Sequence, residues 1–287
     1  MKKISATLVK NLREKTGLGM MDCKKALLIS NGDLDLALEE LRKSSDLKAN
    51  KKAGRPTGDG IISTFLNESL ACMVEVNCET DFVVKDESFV SYTKDVIGKL
   101  VSNVDLTLEE AMEGELEEKR KELVHTLGEN IVVRRFARSK EHSDSIGLYL
   151  HTNKKIACIV SLEGGNNTLA KDIAMHVAAT DPVSITPEDI PKTLMEEEKE
   201  ILEAKSFDAN KSPDLIKKIV DGKLKKFIKE ACLTEQGFVR DPETKIKDLL
   251  KENSSTVISF DRFLVGEGVE NEKKDFASEV MSQLKNT

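Results

Sequence analysis

A chain that performs acid–base, nucleophilic or metal chemistry carries His, Cys or carboxylate groups at short, workable spacings. The four histidines here, His125, His142, His151 and His176, stand singly, and no HExxH pair occurs. His176 lies among Ala174, Val177 and Ala178 and reads as a hydrogen-bonded structural residue, whereas His151, in YLHTNKK, reads as an exposed hairpin tip. The five cysteines (Cys23, Cys72, Cys78, Cys158, Cys232) form no CxxC pair, and three lie in or beside apolar strand-like runs. Buried, reduced thiols are expected rather than a metal site or disulfide. Carboxylates crowd runs such as EEEKE, which a solvated helix face explains. A bound nucleotide would call for a GxxxxGK[ST] or GxGxxG loop, and the chain has neither. The expectation is a binding protein with no catalytic residues, no cofactor, no metal and no nucleotide of its own.

One stretch fits no routine role. Glu75 to Lys85, EVNCETDFVVK, begins as a strand: Ala71, Met73, Val74 and Val76 are apolar, and Asn77 starts to break the pattern. Asp81 can cap a helix, which would turn Phe82 outward. A large apolar side chain at a strand-to-helix corner has two readings, a local core contact or a partner's pocket. Residue types alone leave both open for Thr80-Asp81-Phe82-Val83.

The elements that hold this corner follow from pattern. At 287 residues the chain should form two or more compact units. No apolar run approaches the ~20 residues that span a bilayer, and MKKISATLVKNL lacks the uninterrupted apolar core and cleavage site of a secretory signal, so a cytoplasmic location without membrane contact is expected. Net charge is −7, divided unevenly: residues 1–56 hold thirteen Lys/Arg against seven Asp/Glu, a net +6, which leaves −13 for the rest. Nucleic-acid binding requires a sustained basic face, so none is expected.

Residues 4–52 read as three helices, with Thr16-Gly17 ending the first, Met20 and Met21 in the turn before the second, and Asn31-Gly32-Asp33 capping the third. ANKKAGRPTG, Ala49 to Gly58, reads as a linker. Then GIISTFL, NES, LACMVEV and a helix from about Asp86 to Val101 form a hairpin-plus-helix unit. A second follows from Ser145, IGLYLHTNKKIACIVSL with a helix from Asn167 to Ala179. At an offset of 86 residues Ala71-Cys72 falls on Ala157-Cys158, and Asn67 on Asn153, which suggests a duplication. Between the two, Leu106 to Leu127 is acidic and helical, and NIVVRRFA (Asn130 to Ala137) is a strand. Beyond Pro182, Pro187 and Pro191, an acidic run (about Lys192 to Lys205) and a basic one (Pro213 to Ala231) make a helical hairpin. TVISFDRFLV returns as a strand, Gly266-Glu267-Gly268 turns, and Lys273 to Leu284 forms a terminal helix with Phe276, Val280 and Leu284 on one edge.

Three stretches together resemble the elongation factor Ts family: LREKTGLGMMDCKKAL (Leu12 to Leu27), EVNCETDFVVK, and DIAMHVAA (Asp172 to Ala179). They stand in family order, and the likeness runs from near Ile4 to the GEG tail. Val84 departs from the pattern, since the family usually has Ala or Ser there. The resemblance implies an α+β fold. Its parts are a ubiquitin-associated-like three-helix bundle (1–55), a core N-subdomain (56–143), a core C-subdomain (144–186 and 235–267), an inserted coiled-coil hairpin (187–234) and a C-terminal helical module (268–287). It implies a partner, elongation factor Tu in GDP-bound and nucleotide-free forms, from which GDP release is accelerated, with a homodimer or a heterotetramer with the partner also within the family's range. By resemblance, Thr80, Asp81, Phe82 and Val83 enter between two helices of the partner's GTPase domain and disturb its Mg2+ site, with Leu127 and Gly128 behind them. Lys10, Arg13, Met20 and Met21 hold a helix of the same domain, where the terminal helix also docks, and His151 touches another domain. Two rivals are a ubiquitin-type adaptor, which would use only residues 1–55, and an RNA-binding translation factor, which the acidic remainder opposes.

Overall fold

The computed structural model describes residues 4–206 and 213–269, so the expected terminal helix with Phe276, Val280 and Leu284 lies outside the described residues. Contacts divide the chain into two compact units. Of the described residues, the first holds 4–64, 73–136 and 264–269, and the second holds 65–72, 137–206 and 213–263.

The first unit opens with three helices, α1 (Ala6–Thr16), α2 (Met20–Ile29) and α3 (Leu34–Lys52). Each boundary has a local cause. Ser5 Oγ accepts from Leu8 N at the start of α1; Gly17, at φ 68°, ends it by donating to Arg13 O; Asp33 Oδ1 accepts from Asp35 N and Leu36 N at the start of α3. Leu12, Leu18, Cys23, Leu27, Ala37 and Leu41 close a small apolar core among them. The expected linker is shorter than its composition suggests. Residues 49–52 complete the last turn of α3, and Ala49 is buried at 2% exposure, because its methyl faces inward while Lys51 is exposed and Lys52 half-buried.

Next come β1 (Asp59–Leu66), β2 (Ala71–Cys78), the single turn α4 (Asp81–Val84), α5 (Glu87–Ser102), α6 (Leu108–Met112), α7 (Glu115–Leu127) and β3 (Ile131–Arg138). The sheet order is β1-β2-β3, which makes β2 the central strand, buried at every position. Asn77 does not break it. The amide is buried inside the strand, where its Nδ2 donates to Glu75 Oε1 at 3.0 Å. Glu75 itself is fully buried and accepts from Arg134, Arg135 and Gly266 N. Burial pushes its carboxyl up, but those donors more than reverse this and hold it below the usual carboxylate range. The same contacts pin the Gly266-Glu267-Gly268 turn to the first unit. Acidic Leu106 to Leu127 is helical as expected but interrupted, since Gly114 at φ 76° separates α6 from α7.

The second unit contains β4 (Ser145–Leu150), β5 (Ile156–Glu163), α8 (Asn167–Thr180), the paired helices α9 (Lys192–Ser206) and α10 (Pro213–Ala231), the small hairpin β6 (Gly237–Phe238) and β7 (Asp241–Lys245), α11 (Ile246–Glu252) and β8 (Thr256–Leu264) as far as Phe263. β4 and β5 pair antiparallel, and β8 completes the order β4-β5-β8. The core gathers Val160 and Leu162 from β5, Ile173 and Val177 from α8, and Leu233, Phe238, Ile246 and Val257 from the returning segment. His176 is fully buried there. Its Nδ1 accepts from Val239 N at 3.1 Å, so Nε2 carries the hydrogen and donates to Gln236 Oε1 at 2.9 Å; burial lowers its pKa, and it stays neutral at pH 7. Along α9 and α10, Leu202 and Val220 are buried, and Lys223 Nζ donates to Ser206 Oγ at 3.2 Å. All five cysteines are buried and unpaired by disulfide, and burial pushes the Cys72 thiol up to about 11.

Residues aligned at the offset of 86 share some local features. Ala71 and Ala157 both sit fully buried on the central strand of three, and Asn67 and Asn153 both accept backbone N–H groups in the preceding turn. Glycine at 147 is required by contact: a Cβ there would meet the Ala170 carbonyl at 2.1 Å, so β4 and α8 have no room for a methyl. Gly147→Ala should therefore destabilise the chain by roughly 1–3 kcal/mol. Gly98→Ala, in α5 with nothing within 4 Å, should stabilise it by about 0.5–1 kcal/mol. Urea midpoints of the two variants, moving in opposite directions, check both.

Candidate functional site

The corner at residues 79–86 is where β2 leaves the core. Thr80, not Asp81, takes the position before the first helical residue, with extended backbone at φ −134° and ψ 160°. α4 lasts one turn and closes with Lys85 N donating to Phe82 O and Asp86 N to Val83 O. The carboxylate of Asp86 then accepts from Ser88 N and Phe89 N and starts α5. Within this turn the apolar side chains divide sharply: Val83 is 6% exposed and Phe82 is 78% exposed. The local-core reading of Phe82 is thereby excluded. Val84 is half-buried, Thr80 is half-buried and Asp81 is exposed. Lys85 Nζ lies 2.9 Å from Asp81 Oδ2 and 5.8 Å from the Phe82 ring centre, so an ammonium flanks the exposed ring.

Stiffness at this corner comes from a residue that sequence reasoning missed. Glu129 Oε2 accepts from Glu79 N at 3.1 Å and Thr80 N at 2.9 Å, and its Oε1 accepts from Thr80 Oγ1 at 2.5 Å. In return, Glu79 Oε1 accepts from Asn130 N at 2.6 Å. Two segments 50 residues apart are thus clasped by reciprocal carboxylate–amide bonds. Leu127 and Gly128, expected behind the corner, end α7 directly before this glutamate. Leu127 is half-buried, and Gly128 at φ 79° turns the chain so that Glu129 reaches Thr80. Lys52 Nζ donates to the Gly128 carbonyl from α3, and Asn130 Nδ2 donates to Ala53 O and Arg55 O.

The bundle residues are displayed differently. Lys10 and Arg13 are exposed, three apart on α1, and Lys10 pairs with Glu14 at 3.7 Å. Met20 and Met21 form the first turn of α2 rather than the turn before it, with 56% and 64% exposure. Gly19 precedes them, and its carbonyl accepts from Cys23 N, which starts the helix two residues early. The bundle is seated on α7 through another cluster that sequence reasoning missed. His125 of α7 is buried, with Nδ1 2.8 Å from Ser45 Oγ of α3 and Nε2 3.0 Å from Asp22 Oδ2 of α2; Lys48 reaches the same Asp22 oxygen at 3.3 Å. A serine, a histidine and an aspartate in a row invite comparison with a nucleophilic triad. Ser45 is only 2% exposed, within α3, so no substrate can reach its hydroxyl.

His151 stands in the second unit, half-buried at the tip of the β4–β5 hairpin, where Nδ1 lies 3.0 Å from Asn153 Oδ1 and the ring meets Tyr149 edge-on. A cleft of about 510 Å3 opens beside it, lined by Tyr149, Met175, Val239, Arg240 and Arg262 among others. Among the described residues, no three His, Cys, Asp or Glu side chains gather to hold a metal ion, and no helix is long and apolar enough to cross a membrane.

If the clasp fixes the corner, Glu129→Ala should free the Glu79 and Thr80 amides at a local cost of roughly 1–3 kcal/mol, equivalent to at least several-fold faster hydrogen exchange. Amide exchange resolved at residues 79–83 measures it, with β4 and β5 amides as the unaffected reference.

The surface just described can be set beside known proteins. The family model "Elongation factor TS" matches residues 79–267. Elongation factor Ts of Hahella chejuensis is 47% identical over 287 residues, which covers 99% of this chain and 100% of that protein. The proteins of the same name from Marinobacter nauticus (45% over 282 residues, 98% of this chain and 97% of that one) and Francisella tularensis subsp. novicida (42% over 291 residues, 99% and 100%) align as fully.

Proposed function

Because this chain belongs to the elongation factor Ts family, and so to the translation elongation factors, we propose that it binds elongation factor Tu carrying GDP and speeds GDP release. The observation that carries the reading is the division within α4: Val83 anchors the turn in the core while Phe82, 78% exposed, stands out from it on a clasped backbone. An exposed apolar side chain on a hydrogen-bonded corner suits insertion between the helices of a partner. In this reading Thr80 to Val83 enter the GTPase domain of elongation factor Tu and disturb its Mg2+ site, with Leu127 and Gly128 as the support behind them. Lys10, Arg13, Met20 and Met21 hold a helix of the same domain, with the two thioethers as an adaptable apolar surface. His151 and its hairpin tip meet a different domain.

No covalent or proton-transfer step is required, and the chain acts as a binding factor rather than an enzyme. The physics is linkage. A factor that prefers the nucleotide-poor partner lowers the partner's GDP affinity, and GDP lowers the factor's affinity by the same ratio. Insertion of a side chain next to the metal and phosphate site is one way to give the two states different contacts, which any such coupling requires.

Phe82→Ala separates this reading from a structural role for the ring. Loss of an aromatic anchor at an interface centre costs ~2 kcal/mol or more, and ~1.4 kcal/mol is tenfold. Binding to elongation factor Tu should therefore weaken at least tenfold and fluorescent-GDP release should slow, while the melting temperature of the variant barely moves. A variant that melts much earlier yet drives GDP release at the normal rate would overturn the assignment.

A further inference from the structure

The cluster that joins the bundle to α7 contains a buried imidazole, the side-chain type whose ordinary pKa lies nearest neutral pH. The His125 side chain is 1% exposed. Asp22 can only accept, so the hydrogen on the ring sits on Nε2 and points at Oδ2; Nδ1 is then a lone pair that accepts the Ser45 hydroxyl hydrogen. Each ring nitrogen has one partner, and Asp22 Oδ2 also accepts from Lys48. α2 supplies Asp22, α3 supplies Ser45 with Lys48 and Lys52 close by, and α7 supplies the ring. Along the same seam Arg42 pairs with Glu118 and Lys121 with Asp46, Glu122 lies one turn before the ring on α7 with its carboxyl raised by burial, and α5 meets α7 nearly two turns earlier through Asp95 and Lys119. A second hydrogen on Nδ1 would face the Ser45 oxygen and force the hydroxyl to turn round. It would also add a buried positive charge beside Lys48 and Lys52.

We propose that His125 is a positioning residue that seats the N-terminal bundle on α7 only as the neutral imidazole, so that acid releases the surface bearing Met20 and Met21. The effect on elongation factor Tu rests on the reading that this surface contacts the partner; the latch itself does not. The direction follows from burial. Desolvation lowers the His125 pKa, with Lys48 and Lys52 acting the same way, and the Asp22 carboxylate only partly opposes them. Burial raises the Asp22 carboxyl, and the His125 and Lys48 hydrogen bonds outweigh it, so Asp22 stays ionised throughout. A base whose pKa is depressed in the docked state binds its proton more readily once undocked. Docking is therefore intact above the ordinary histidine value of about 6.5 and weakens as pH falls below it, by at most about tenfold per pH unit.

The test uses the full chain. The imidazole titration of His125 is followed by NMR, and amide exchange along the α3–α7 seam, corrected for its intrinsic pH dependence, is compared at pH 7.5 and 5.5. The wild type should lose seam protection toward pH 5.5. His125→Gln, whose amide has an NH2 donor group and a carbonyl acceptor but does not titrate, should lose this pH dependence. Asp22→Asn removes the charge that favours imidazolium, and should move both the titration and the loss of protection to lower pH. Seam protection that is the same at both pH values in the wild type, or a loss that Asp22→Asn leaves in place, would overturn the latch. Partner affinity is then measured as the ratio of wild type to His125→Gln at each pH, which cancels titration of the partner. A ratio that falls with pH supports the whole scheme. If seam protection responds but the ratio is flat, the latch stands and the role of Met20 and Met21 falls.

Discussion

A carboxylate has only acceptors to offer, and both oxygens of Glu129 are occupied by donors from residues 79 and 80. Those donors belong to the last extended residues before the chain reverses into α4, where a strand has run out of partners and a helix has not yet begun. Without acceptors from outside the turn, the backbone there would find them in water and wander. Clasped, it becomes a fixed mount, and several neighbouring contacts lead back to it. Gly128 sets the angle from which Glu129 approaches, Lys52 ties α3 to that glycine, and Asn130 fastens residues 53 and 55 to the same loop. Order at the corner reduces the entropy lost on association, which is how a small protruding element can bind well.

Comparison with the second hairpin-plus-helix segment shows what the corner adds. At the offset of 86, Thr80 corresponds to Asn166, and both segments have a strand, a cap position and a helix in that order. In the second segment Asn166 Oδ1 accepts from Thr168 N and Leu169 N, and α8 runs on without a break for fourteen residues. In the first segment the helix stops after four residues and starts again at Asp86 with a new cap. That interruption is what pushes Phe82 out while Val83 stays in. The broken helix makes a protrusion where the unbroken one makes none.

Much of this was legible in the residues, and the exceptions have a common physical cause. Caps and turns such as Gly17, Asp33, Asp86 and Asn67 act within three or four residues of themselves, so their chemistry is written locally. The strands and helices of both segments follow from apolar periodicity, and the acidic and basic runs at 192–231 are paired helices. Reasoning failed where a partner lies far along the chain. Glu129 and Asn130 look like loop residues until residues 79 and 80 are beside them; Asp22, Ser45 and His125 are separated by 23 and 80 positions and follow no period. Asn77 looked like a strand breaker because its partner, Glu75, is itself a buried charge supplied with donors from β3 and the GEG turn. The only hint in the sequence was a charged residue inside an otherwise apolar strand, which signals a hidden counter-charge.

The lysine that flanks Phe82 deserves its own consequence. A bare phenyl ring on a protein surface is a nucleus for self-association, and crowding multiplies the encounters. Lys85, held by Asp81 at 2.9 Å, keeps a hydrated ammonium against that ring. Because Asp81 neutralises it, the ammonium adds no net charge beside the ring, and an anionic rim around an apolar slot would draw it aside. The ion pair is exposed and worth less than ~1 kcal/mol, so a correct partner displaces it at little cost. Any slot that receives the ring must therefore also receive or displace the ammonium beside it.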